Sequence, residues 1–115
     1  MARSLLTSGS QTTTPGTDHA LHTWDAPSGG ASYVLVLDCA ALENGETLEV
    51  FVERECRANV DPRREEARYG VAAHEGNGTI TTPVFGAAET VELRVGIVQT
   101  GGSGRAIPWA IERVA

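Results

Sequence analysis

The chain contains no lysine, only two cysteines, one methionine, and aromatic residues at just 5% of its 115 positions. Without lysine, neither a Ser-x-x-Lys pair nor the Gly-Lys-Ser/Thr ending of a phosphate loop can occur. All nine cations are arginine, a bias that fits a GC-rich genome and also suits bidentate pairing with carboxylates. Six aromatic rings are too few to fill a core and also line an exposed sugar-stacking face, which disfavours a carbohydrate-binding module. No apolar run approaches the ~18 residues of a membrane helix, and no charged segment followed by an apolar one marks a secretion signal. Positive charge is also short: the net charge is −6 and the pI about 4.9, which excludes a surface built to hold phosphate backbones. Neither nucleic acid nor membrane is expected as a partner. A chain of this length supports a single core.

What is present is β-pattern. Residues 1–16 are rich in Ser, Thr and Gly and end in Pro15-Gly16, which reads as an extended N-terminal arm, frayed or clamped on a neighbour. Residues 17–115 then alternate short apolar stretches with Gly, Pro, Asn and Asp clusters, the pattern of an all-β antiparallel sandwich, jelly-roll-like or Ig-like, of about seven strands. The expected strands are 18–24, 32–39, 47–54, 67–74, 79–85, and two in the C-terminal third. Residues 32–39 form a continuous apolar and β-branched run, which suits a central strand. Asn44-Gly45 predicts a hairpin joining 32–39 to 47–54. A second hairpin centred on Gly102 would set Ile97 opposite Ile107, Val95 opposite Trp109 and Leu93 opposite Ile111. Pro83 belongs at a sheet edge or strand end.

No constellation for catalysis emerges. His19 and His22, three apart on a strand, are expected on opposite faces, and no carboxylate or thiol stands at a metal-ligand spacing. His74 reads as a strand-end residue. The Asn44-Gly45 hairpin would separate Cys39 from Cys56 by roughly 20 Å, so two separate, partly buried thiols are expected. Gly-x-Ser-x-Gly and papain-like cysteine contexts are missing. The run from Gly101 to Arg105 leads into a strand, whereas a phosphate loop opens a helix. Glu49, Glu53 and Glu55 are best explained as a solvated strand face. No catalytic residue, cofactor or metal is therefore expected. Four apolar side chains have no evident internal use and are candidates for a protein interface: Leu5 and Leu6 in the arm, Phe51 on the charged side of its strand, and Phe85 near a sheet edge. In a sandwich, a second sheet could equally cover Phe51 and Phe85.

The segments Tyr33-Val34-Leu35-Val36-Leu37-Asp38, Leu42-Glu43-Asn44-Gly45-Glu46-Thr47-Leu48-Glu49-Val50 and Thr100-Gly101-Gly102-Ser103-Gly104-Arg105-Ala106-Ile107-Pro108-Trp109 resemble small virion proteins of tailed bacteriophages encoded among head-morphogenesis genes. The resemblance runs from about residue 30 to the end and is poor between 57 and 85. It implies a non-enzymatic capsid decoration or cement protein, made in the bacterial cytoplasm and placed on the capsid surface. Its implied partner is the major capsid protein, and its implied assembly a homo-oligomer, a trimer at a local threefold. A head-to-tail connector or tail component is the alternative.

Overall fold

The structure, a computed structural model, describes residues 3–43, 45–54, 64–71, 78–87 and 91–114. Among these residues nine strands follow in chain order: β1 (Arg3–Thr12), β2 (His19–Asp25), β3 (Ala31–Asp38), β4 (Thr47–Arg54), β5 (Arg64–Val71), β6 (Thr79–Thr81), β7 (Phe85–Ala87), β8 (Glu92–Thr100) and β9 (Ala106–Val114). They make two antiparallel sheets. The first has the order β1-β9-β3, with β6 and β7 both on the far edge of β3; the second has the order β2-β8-β4-β5. Since β6 and β7 share one position, the sandwich is an eight-position jelly roll in which the chain passes from sheet to sheet at nearly every connection.

Period-two alternation forms the core between the sheets. Tyr33, Leu35 and Leu37 of β3 meet Leu48, Val50 and Val52 of β4, Leu93, Val95 and Ile97 of β8, and Ile107 and Ile111 of β9. Residues 32–39 are central as expected, with β9 on one side and β6 and β7 on the other. The strand expected over 79–85 is two short ones. Between them Thr82 takes over the pairing: its amide donates to the Leu35 carbonyl at 2.9 Å, and the Leu35 amide donates to its hydroxyl at 3.0 Å. Pro83 follows at this break, where no ladder bond is lost.

Three sequence expectations are corrected. Residues 3–12 are no arm on a neighbour: they pair with β9 from Arg3↔Val114 to Thr12↔Ala106. Main-chain hydrogen bonds hold this strand, so it needs no apolar alternation, and its Ser/Thr-rich sequence conceals it. The hairpin expected between 32–39 and 47–54 does not form, because β3 and β4 lie in opposite sheets. The turn itself exists, with the Glu46 amide donating to the Glu43 carbonyl at 2.9 Å and Gly45 at φ 89°. However, the connection that contains it is long enough to cross the sandwich, and Leu42 plugs the core's end at 1% exposure. Likewise β8 and β9 do not pair. Ile97 stands opposite Val50 and Ile107 opposite Gln11, so the predicted C-terminal register fails.

Phe85 is in the core, its ring 6.2 Å from that of Tyr33, which in turn meets Trp24 edge-on at 5.1 Å. Phe51 points out of the sandwich yet is only 2% exposed. It lies across Gly96 on β8, its register partner, and the guanidinium carbons of Arg68 and Arg94 stand 5.2 Å and 5.9 Å from its ring centre. Both phenylalanines named as interface candidates are therefore covered by their own chain.

Candidate functional site

The two outer faces of the sandwich differ in chemistry. On the second sheet, residues facing away from the core carry ion pairs: Arg68 with Glu49 at 3.3 Å and Asp18 at 3.2 Å, and Arg94 with Glu53 at 3.4 Å. On the first sheet, the outward set is mostly uncharged, its charges being Asp38 and the Arg3–Glu112 pair at 3.1 Å. Register and alternation put Val36 of β3, Pro108 and Ala110 of β9, and Leu5, Ser8 and Ser10 of β1 on that side. Val36, Asp38, Thr79, Pro108, Trp109 and Ala110 line a shallow apolar depression of about 210 Å³ there. Pro108 is tolerated within a central strand because it lies just past Leu37↔Trp109, the last β3 pair, so no bond to β3 is missing. Leu5 and Leu6 are 64% and 41% exposed, and Val84 54%. Sequence reasoning picked out the two leucines but did not single out Val36, Pro108 and Ala110: alternation places Pro108 and Ala110 opposite the core-facing Ile107 and Ile111, but that β9 lies beside β1 and β3 follows only from the pairing.

A polar clasp closes one end of the sandwich. Glu46, only 4% exposed, accepts from Arg105 Nε at 2.9 Å and Nη2 at 2.8 Å, from the Glu43 amide at 2.8 Å and from the Ser103 amide at 3.1 Å. Gly102 packs on this carboxylate with φ 70°, and a Cβ there would overlap Glu46. The Arg105 hydrogen bonds first, then those from the backbone, hold the Glu46 carboxyl down to about 2 from its ordinary 4.5. Because the folded value is the lower one, the clasp stabilises fully above the ordinary range and loses its effect as pH falls toward 2. In thermal melts from pH 7 to 2, Glu46→Gln is expected to lie below the wild type at neutral pH. The two should converge between about 4.5 and about 2. A constant gap down to pH 2 would contradict the clasp.

The remaining candidates are placed as follows. A bulge between Ala20 and His22 puts His19 opposite Ile97 and His22 opposite Val95, so both imidazoles lie on the core side, contrary to the expected opposite faces. His22 stacks on Trp24 at 5.3 Å, and His19 Nε2 accepts from the Thr14 amide at 3.1 Å. Among the described residues, no three His, Cys, Asp or Glu side chains gather where they could hold a metal. Cys39 is a buried free thiol; burial, and after it the Asp38 carboxylate, push it up to about 11, which leaves it a poor nucleophile at neutral pH. Cys56, Glu55 and His74 lie outside the described residues. Trp24 is half-buried against the core. Gly101 to Arg105 form the crossing from β8 to β9, not a hairpin tip.

The strand order thus defines a jelly-roll sandwich, an architecture shared by capsid, lectin and cupin domains. No family model matches the chain, and no curated protein sequence matches it. Among solved structures it is similar to chains in those of the infectious bursal disease virus Gx and Gt strains. The alignments cover 92% and 97% of this chain, with TM-scores of 0.47 and 0.46 and 15% identity in each. The chain spans 28% and 30% of the length of those proteins.

Proposed function

We propose that the protein is a non-enzymatic structural protein of a tailed-phage virion, a decoration or cement protein that lays its first sheet against the major capsid protein. The observation carrying this reading is the asymmetry of the two faces. One has an uncharged centre around Val36, Pro108 and Ala110, with Leu5 exposed beside them and charge confined to Asp38 and the Arg3–Glu112 pair toward the strand ends. The other carries the Arg68 and Arg94 ion pairs. A protein arrayed on a shell needs one face that loses its water cheaply and one that keeps the particle soluble. The resemblance of residues 33–38, 42–50 and 100–109 to phage head proteins supports the same reading.

Two measurements test it. Quantitative mass spectrometry of purified virions should find the protein at a simple fraction of the major capsid protein; a copy number matching one ring would assign it to the connector or tail, and absence would overturn the virion role. Separately, Ala110→Glu should put a charge in the middle of the first sheet's outer face and reduce retention on capsids by about tenfold or more. Its melting temperature should stay close to that of the wild type. Unchanged retention would show that this face does not meet the shell.

A further inference from the structure

We infer that β1 is a self-association edge, taking β1 of a second copy in antiparallel pairing about a twofold axis. Among the described residues, the outer edge of β1 has no strand partner. Sheet edges invite such pairing, and proteins blunt them with short strands, proline, bulges or charge. The other three edges here carry these devices. The far edge of the first sheet is broken into the three-residue strands β6 and β7, with Pro83 between them. β2 is bulged between Ala20 and His22. The sequence of β5, Arg-Glu-Glu-Ala-Arg-Tyr-Gly-Val, has four charged residues in eight.

β1 is different. It is ten residues long, Arg-Ser-Leu-Leu-Thr-Ser-Gly-Ser-Gln-Thr, with no proline and no acidic residue. Its only charge, Arg3, is paired with Glu112 at 3.1 Å. Its bulge, between Leu5 and Thr7, leaves a regular stretch from Thr7 to Thr12. In a chain of net charge −6, a strand without a carboxylate is where two copies can meet with least repulsion, which makes a second copy the occupant. Antiparallel pairing of identical strands is self-complementary and closes on itself, whereas β1 pairing with a different edge would propagate into a filament. Leu5 and Leu6 of each copy would come to lie alongside the other copy's strand. The contact is twofold, where the resemblance implied a threefold, and it concerns the free protein independently of the capsid contact.

The backbone specifies which groups take part. The Thr13 amide donates to the Arg105 carbonyl at 2.8 Å. Alternation therefore turns Gln11, Gly9 and Thr7 toward β9 and the amides of Ser8, Ser10 and Thr12 toward the free edge. Ser8→Pro removes one outward donor and no bond to β9.

Sedimentation equilibrium should find a dimer near 100 μM, with the dimer Kd rising about tenfold or more in Ser8→Pro. Amide exchange should show Ser8, Ser10 and Thr12 protected at high concentration and unprotected on dilution, with Gln11 and Gly9 unchanged. Should Ser8→Pro fail to fold, Leu6→Glu, which adds a carboxylate to the same edge, should weaken the dimer instead. A monomer at every concentration overturns the inference, as does a trimer or a dimer indifferent to both variants. A monomer that still decorates capsids would remove the edge pairing alone, and a β1 dimer absent from virions would remove the virion role alone.

Discussion

Gly96→Ala is expected to lower stability by about 3 kcal/mol and the melting temperature by roughly 10 °C. Gly96 lies in the middle of β8, where glycine weakens a strand unless something approaches closely. Here two groups do. A Cβ built on Gly96 would overlap the edge of the Phe51 ring at Cζ and Cε2 and the His19 carbonyl oxygen, so the first methyl group must push apart β4, β8 and β2 or drive the ring off its site. A large ring over a cross-strand glycine is a known way to recover the packing that glycine forfeits. The two positions should therefore be coupled. Adding Phe51→Leu should recover part of the loss, about 1–2 kcal/mol, and the remainder belongs to the His19 carbonyl. Chemical denaturation of the two single variants and the double variant measures this. Strict additivity would mean that the ring and the glycine do not share the site.

The second large effect belongs to Gln99, which is fully buried. Its amide nitrogen donates to the Gly101 carbonyl at 3.0 Å and the Ser103 carbonyl at 2.6 Å, and its oxygen accepts from the Thr13 hydroxyl. Thr13 Oγ1 also accepts from the Arg105 amide at 2.8 Å. This node ties the turn after β1 to the β8–β9 crossing. Gln99→Leu keeps the volume but removes both donors and the acceptor, and should cost about 2–4 kcal/mol, since stranding buried polar groups costs more than a hydrogen bond gains. Thr13→Val should cost less, about 1–2 kcal/mol, because its backbone amide still bonds Arg105. The double variant should be less destabilised than the sum of the two, as members of one network are not independent. Equal additive losses would deny that the node acts as a unit.

Much of the sandwich is legible in the chain. The apolar run at 32–39 marks a central strand, the alternation at 47–54 and 91–97 marks the core-facing residues of β4 and β8, and Pro83 marks a strand break. The expected count of about seven strands falls short of the nine among the described residues for two reasons. β1 is held by main-chain bonds that leave no apolar rhythm, and the strand expected over 79–85 is interrupted at Thr82. For the candidate interface the division is finer. Leu5 and Leu6 stand out as apolar residues in a polar segment and are indeed exposed, whereas Phe51 and Phe85 have the same isolated look and are buried. Phe51 is covered by Gly96, Arg68 and Arg94, partners 45, 17 and 43 positions away, which no local pattern connects.

The two misread hairpins share one cause. Alternation tells which side of a strand is apolar, and in a sandwich that condition is met equally by a strand beside its chain neighbour and by one facing it across the core. The amino-acid order was therefore enough for the β class, the single core, most strand positions and the inward-facing set. It did not say who pairs with whom. That choice was made by contacts that exist only after folding. Arg105 reaches Glu46 across 59 residues and Thr13 reaches Gln99 across 86, holding β8 and β9 in opposite sheets. The same contacts settle which outward residues become neighbours, Val36 beside Ala110 and Ala110 beside Ser8, because a side chain's neighbours follow from the sheet its strand joins.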